Sequence, residues 1–249
     1  MDARSLSWIA AACGGEQLTG SPETPVCRVG SDSRQIQRGD LFFALPGERF
    51  DGHAFLREAA GKGAAAAVVA RGQSPGSLPN CAVIAVEDTR QALGRLAARY
   101  RRDFSLPVLA IAGSNGKTTT KELVASVLEQ KCPTLRSEAS FNNDIGVPLT
   151  LLGLETAHRA AVVEAGTNHP GELAPLLKMI SPLLGVLTSI GREHLEFFGD
   201  LAGVAQEEGW LAELLPAGGM LLADGDCPWT GPIVDLERST AGGSSTEPF

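Results

Sequence analysis

The stretch "VLAIAGSNGKTTTKE", residues 108–122, sets a glycine turn between an apolar run and a lysine followed by three threonines. An unbroken apolar run is how a strand covered on both faces reads, and the residues after Gly116 read as a helix. The strict phosphate-loop spacing G-x-x-x-x-G-K-[ST] would need its first glycine at position 111, which is Ile111. What remains is a shorter form, G-x-x-G-K-T, from Gly113 to Thr118. Gly113 and Gly116 let the backbone take positive φ and approach a ligand with no Cβ in the way. The amides of Gly113, Ser114, Asn115, Gly116, Lys117, Thr118 and Thr119, at the loop and helix start, are expected to form an anion nest. Lys117 is expected along the β- and γ-phosphates, with the Thr118 hydroxyl at Mg²⁺. An ordinary strand-to-helix turn is the bland alternative. The strand directly before and the helix directly after favour a nucleoside triphosphate, with ATP and Mg²⁺ as the cofactors.

Outward from the loop, strand and helix alternate. Helix 117–130 is followed by strand "RAAVVEAG" (159–166), helix 171–180, strand "LLGVLTSI" (183–190) and helix 200–215. Continuous apolar strands of this kind form a parallel sheet with helices on both faces. Upstream, the spacing predicts helix "LSWIAAAC" stopped by Gly14 and Gly15, a turn into strand at 38–45 and a helix over 53–63. Strands at 64–70 and 81–86 follow, then a helix over 88–102 capped by Asp88 or Thr89. The fold class is therefore α/β: a small mixed domain over 1–103, then a parallel-sheet phosphate-loop domain over 104–229. Only about four strands of the second sheet are found before the Gly-, Ser-, Thr- and Pro-rich residues 230–249. That sheet thus reads as incomplete and the last segment as a disordered tail.

With 21 Lys and Arg against 29 Asp and Glu, the net charge is −8, and no long basic run offsets it. Nucleic acid and anionic membrane surfaces are poor partners for such a chain. Cys13, Cys27, Cys81, Cys132 and Cys227 are scattered and odd in number, which argues against a disulfide framework and a zinc site. No apolar run approaches the roughly 18 residues of a membrane span. "MDARSLSWIAAACGG" carries an early aspartate and reads as a surface helix rather than a signal peptide, so a cytoplasmic location is expected.

The loop and its neighbours resemble the Mur ligases, the amide-forming enzymes of peptidoglycan precursor synthesis. "DSRQIQRGDLFFALPGERFDGHAF" (32–55), "FNNDIGVPLTLL" (141–152), "EAGTNHPGELAPL" (164–176) and "TSIGREHLEFFGDLAGVA" (188–205) occur in that order and resemble the member that adds D-alanyl-D-alanine. The resemblance implies that ATP, UDP-N-acetylmuramoyl-tripeptide and D-alanyl-D-alanine give the UDP-pentapeptide, ADP and phosphate through an acyl phosphate. It implies catalytic or metal roles for Lys117, Glu164 and His194, with Thr118 and Glu164 holding Mg²⁺ and His194 a second ion. It makes Asn142 and Asn143 candidate substrate contacts, with an asparagine turn and helix caps as the alternative. In the first domain it makes Ser33, Arg34 and His53 candidate contacts to the UDP-sugar. The alternative there is that Arg34–Asp32 and Asp51–His53 only pin loops together.

Two departures from the family pattern matter. The family usually carries a carboxylated lysine fourteen residues after the metal histidine, where this chain has Glu208, a candidate substitute metal ligand. Nothing after residue 229 resembles the rest of the central domain or a third domain. The chain alone is thus expected to lack ligase activity. The competing readings are a non-catalytic remnant that at most binds nucleotide or UDP-sugar, and a sister ligase; "DSR…DGH" and "TNHPGE" argue against the folate-modifying relative.

Overall fold

The computed structural model describes residues 1–47, 50–73 and 76–233. They fall into two compact units: Met1–Phe104 with Leu151–Thr156, and Ser105–Thr150 with the chain from Ala157 onward.

The first unit runs β1 (Arg4–Ser5), α1 (Leu6–Cys13), β2 (Glu16–Gln17), β3 (Pro25–Val26), β4 (Val29–Gly30), β5 (Leu41–Phe43), α2 (Leu56–Gly61), β6 (Ala66–Ala70), β7 (Ala82–Val86) and α3 (Thr89–Arg101). Its sheet has the order β2-β7-β6-β5-β4, with β2 antiparallel to β7 and the other pairs parallel. Alternate residues point to opposite faces. Phe42, Ala67, Val69, Val83 and Ala85 therefore form one apolar cluster with Leu56 and Ala59 of α2. Helices α1 and α3 pack on each other, and α3 also meets β6. Helix α1 stops where Gly14 turns left-handed at φ 66°, and the Asp88 side chain caps α3 by accepting from the Gln91 N–H. The helix expected over 53–63 begins as a 3-10 turn at Gly52–Phe55, because the Asp51 side chain accepts the His53 N–H and tightens it. Residues 151–156 return to this unit. Leu151 and Leu154 are fully buried, the Tyr100 hydroxyl donates to the Leu154 carbonyl at 2.6 Å, and Thr156 N–H donates to Asp2.

The second unit runs β8 (Val108–Ala112), α4 (Lys117–Leu128), β9 (Thr134–Arg136), α5 (Gly146–Leu151, its last residue counted with the first unit), β10 (Ala160–Glu164), α6 (Leu173–Ile180), β11 (Leu184–Leu187), α7 (Leu195–Phe198), α8 (Leu201–Glu208), α9 (Trp210–Glu213) and β12 (Met220–Ala223). The sheet order is β12-β11-β8-β10-β9, every pair parallel. Leu109 and Ile111 of β8 and Val162 of β10 pack under Val124, Ala125 and Leu128 of α4. Helix α6 covers β8 with its own buried residues Leu173, Leu176, Leu177 and Ile180. All positions of β8 and β10 are buried, which is why they read as unbroken apolar runs. The helix expected over 200–215 is two helices meeting at Gly209. Among the described residues the sheet has five strands, against the about four expected, and β9 offers only three residues at an edge.

The tail expected over 230–249 needs a correction at its start. Residues 230–233 form a helical turn whose Thr230 and Ile233 are buried, with the Thr230 hydroxyl donating to the Cys227 carbonyl at 2.8 Å. The remainder of that segment, 234–249, lies outside the described residues.

Candidate functional site

Chain order places the site. From the central strand β8 the chain goes out to the edge at β9, returns to β10, then crosses to the other side of β8 at β11. Ligands of open parallel sheets bind outside the strand C-termini where the order reverses. Three strand ends are level there, since Glu164 is in register with Ile111 and Leu187 with Ala112.

The loop after β8 is built tightly. Gly113 has φ 112°, and a Cβ there would lie 2.5 Å from Thr188 Oγ1 and 2.9 Å from Ser189 N. Gly116 heads α4 in the left-handed region at φ 86°, with open space where a Cβ would stand. Between them the loop is stitched to residues 188–191. Ser114 N–H donates to the Ser189 carbonyl (2.8 Å), Asn115 N–H to Ser189 Oγ (3.1 Å), and Gly191 N–H to Ser114 Oγ (2.8 Å). Gly113 N–H donates to Glu208 Oε2 at 2.7 Å. The expected anion nest is thus narrower than the motif suggested. The amides of Gly113, Ser114 and Asn115 are engaged by the protein. The amides at the head of α4, from Gly116 to Thr119, belong to a first turn that has no carbonyl partner within the helix. Lys117 folds over its own loop, donating from Nζ to the carbonyls of Gly113 and Ser114, with Glu193 3.9 Å away. Thr119 is exposed on the first turn.

Thr118 Oγ1 donates to Glu164 Oε2 at 3.0 Å, and Asn142 Nδ2 donates to Glu164 Oε1 at 2.9 Å. Glu164 is buried to 1% exposure at the end of β10. The close approach of Asn142 depends on Gly166, where a Cβ would lie 2.8 Å from Asn142 Nδ2. Asn143 Oδ1 accepts from Ile145 and Gly146 N–H and so starts α5, the capping alternative. His194 sits at the N-cap of α7 in a left-handed conformation, φ 45°. Glu208 is buried beneath the loop rather than hydrogen-bonded to the Thr118–Glu164 pair. Burial pushes its carboxyl up to about 8, against the pull of the Lys117 ammonium and the Gly113 N–H; Glu193 and Glu207 push the same way as burial. Among the described residues no three His, Cys, Asp or Glu side chains gather as a ready-made metal cage.

In the first unit, Ser33 is buried and its hydroxyl donates to Glu58 (3.1 Å). Arg34 pairs with Asp32 at 2.8 Å while remaining highly exposed. His53 uses both ring nitrogens: Nδ1 meets Asp51 Oδ1 at 2.6 Å and Nε2 accepts from Ala70 N–H at 2.9 Å. It ties the end of β6 to the loop. Both pairs of the loop-pinning alternative, Arg34–Asp32 and Asp51–His53, are formed, although the Arg34 side chain stays exposed.

Sequence reasoning missed Thr188, Ser189 and Gly191 as loop supports, and Lys121, which is fully buried near Glu164. Lys121 had a signal: it lies four residues after Lys117, on the same helix face.

A glycine-turned loop at the switch point of a parallel sheet, next to a hydroxyl–carboxylate pair, defines a phosphate-loop-type α/β fold. The chain belongs to the Mur ligase family: residues 111–241 match the Mur ligase middle domain, and residues 25–101 the domain described as Mur ligase family, catalytic domain. It is 40% identical to the UDP-N-acetylmuramoyl-tripeptide--D-alanyl-D-alanine ligase of Haemophilus influenzae over 84% of this chain and 46% of that protein. The Escherichia coli enzyme of the same name is 42% identical over 80% of this chain and 43% of that protein. A crystal structure of MurF from Acinetobacter baumannii superposes with a TM-score of 0.88 at 34% identity, covering 96% of this chain and 52% of that one. MurF ligase from Thermotoga maritima in complex with ADP gives 0.76 at 30% identity, covering 84% of this chain and 48% of that one. The chain spans about half the length of the curated relatives it matches.

Proposed function

We propose that these residues are the UDP-substrate and nucleotide-binding portion of an ATP-dependent ligase that joins D-alanyl-D-alanine to UDP-N-acetylmuramoyl-tripeptide. The observation that carries the reading is the Thr118–Glu164 pair at the head of a helix that begins with left-handed Gly116. The donor set suits the ligand. Mg²⁺ is usually held by one or two carboxylates and by phosphate oxygens rather than by an all-protein cage. A single buried carboxylate beside a threonine hydroxyl matches that habit, and the ADP complex of the Thermotoga relative supports it.

ATP, when bound, supplies the phosphoryl group that activates the tripeptide's terminal carboxylate for attack by the dipeptide amine. The protein's part in such a transfer is positioning and charge neutralisation. The first-turn amides of α4 and Lys117 receive the phosphates, Thr118 and Glu164 hold Mg²⁺, and Asn142 keeps the Glu164 carboxylate turned toward Thr118. His194, at the head of α7, would hold the second ion that the family resemblance implies. In the first unit, Arg34 is the best-placed contact for the UDP-sugar, being charged and exposed.

The test is a thermal-shift titration of the 249-residue chain with ATP·Mg²⁺ and, separately, with UDP-N-acetylmuramoyl-tripeptide. A ligand at a hundred times its Kd adds about 2.7 kcal/mol, which for a chain of this size is a rise of roughly 5–10 °C. A flat response to both ligands at millimolar concentration sinks the proposal.

A further inference from the structure

Lys121 takes no part in the phosphate grip, yet its side chain is completely buried. An ammonium removed from water is costly unless it is hydrogen-bonded and paired. Its Nζ donates to the carbonyls of Ser137 (2.8 Å) and Ala139, pairs with Glu122 at 3.0 Å, and stands 4.0 Å from Glu164 Oε2. Ala139 is held at φ 43°, a left-handed conformation that residues with a Cβ seldom adopt. The clamped segment touches Glu164 at two points. Ser137 Oγ accepts from the Glu164 N–H at 3.1 Å, and Asn142 Nδ2 donates to Glu164 Oε1 at 2.9 Å.

A plain surface ion pair with Glu122 does not account for this arrangement. The Glu122 side chain is 48% exposed, and a lysine serving only that pair would keep its head in water. Here the head turns inward to two main-chain carbonyls. We infer that Lys121 is a positioning residue for Glu164. By tying down residues 137–139 it fixes Ser137 and Asn142, and through them the carboxylate that faces Thr118 and would receive a divalent cation on the nucleotide. The inference rests on the nucleotide reading proposed above.

The experiment titrates adenylyl imidodiphosphate, a non-hydrolysable ATP analogue, into wild type, Lys121→Met and Glu122→Gln, with Mg²⁺ and with EDTA. Amide exchange over residues 137–142 is followed in the nucleotide-free proteins. Lys121→Met is expected to lose about tenfold or more of the Mg²⁺-dependent tightening, keep its affinity in EDTA within about threefold, and exchange faster at 137–142. Glu122→Gln is expected to match wild type in all three readouts. A full Mg²⁺ effect in folded Lys121→Met overturns the inference and leaves the nucleotide reading standing. Absence of binding by wild type overturns both. Where Lys121→Met does not fold, Ser137→Ala, which removes the acceptor of the Glu164 N–H, is expected to give the same selective loss, and a wild-type Mg²⁺ effect there overturns the inference.

Discussion

Replacing Glu208 by glutamine is expected to make the protein more stable as pH rises, although it removes a buried side chain's native chemistry. Burial lifts the Glu208 carboxyl from the ordinary 4.5 to about 8. The native state therefore keeps a proton that the unfolded chain has released, so this group's contribution to stability is fully present below about pH 4.5 and is lost as pH rises to about 8. The slope is at most about 1.4 kcal/mol per pH unit, and the whole effect is capped at about 5 kcal/mol. Glutamine stays neutral throughout and can still accept the Gly113 N–H. At pH 5 the two proteins should melt within a few degrees of each other. Toward pH 8 the gap should widen in favour of Glu208→Gln by roughly 3–6 °C per pH unit at its steepest. Thermal scans of both proteins from pH 5 to 9 decide it. Parallel curves, or a variant that falls further behind at pH 8, would refute the argument that Glu208 is held neutral beneath the loop.

Gly113→Ala forces a Cβ to within 2.5 Å of Thr188 Oγ1 at a positive φ, so a loss of about 2 kcal/mol or more is expected by chemical denaturation, together with loss of nucleotide binding. Lys117→Ala, which removes the two carbonyl contacts of the resting loop, should lower the melting temperature and weaken ATP·Mg²⁺ binding by about 30- to 100-fold, as thermal scans and calorimetry would show, since a charge-assisted contact to phosphate is lost. Asp88→Ala removes the cap of α3 and should cost about 1 kcal/mol, read from the unfolding midpoint. With a thiol reagent, exposed Cys27 should react at once. Cys13, fully buried with its thiol pushed up to about 12, should react only after denaturant is added.

The parallel sheet was legible because its central strands β8 and β10 are buried on both faces, which leaves the unbroken apolar runs "VLAIA" and "AAVVE". Strand β9 carries little pattern of its own: it is three residues at a sheet edge, none of them fully buried. The break at Gly209 was hidden because glycine is tolerated inside a helix, at a cost of about 1 kcal/mol, and no proline marks the spot. Within the site, the Thr118–Glu164 contact followed from two local rules, the loop motif and the strand end. The roles of Glu208 and Lys121 did not, because each depends on a partner far along the chain or on a turn whose left-handed Ala139 has no sequence signature. The helical turn at 230–233 was masked by tail-like composition, and it forms because Thr230 and Ile233 find burial.

Lys117 spends its charge on two carbonyls of its own loop. Any anion that recruits the lysine must first release it from those bonds, each on the order of 1.5–3 kcal/mol for a charged donor. That toll is the same for every anion, whereas the return grows with the number of charged oxygens presented. The folded-back lysine thereby acts as a threshold filter. Inorganic phosphate and sulfate are expected to leave it in place, and a polyphosphate chain long enough to reach past the head of α4 is expected to draw it out. Discrimination against the small anions abundant in any cell would then be a property of the resting loop itself.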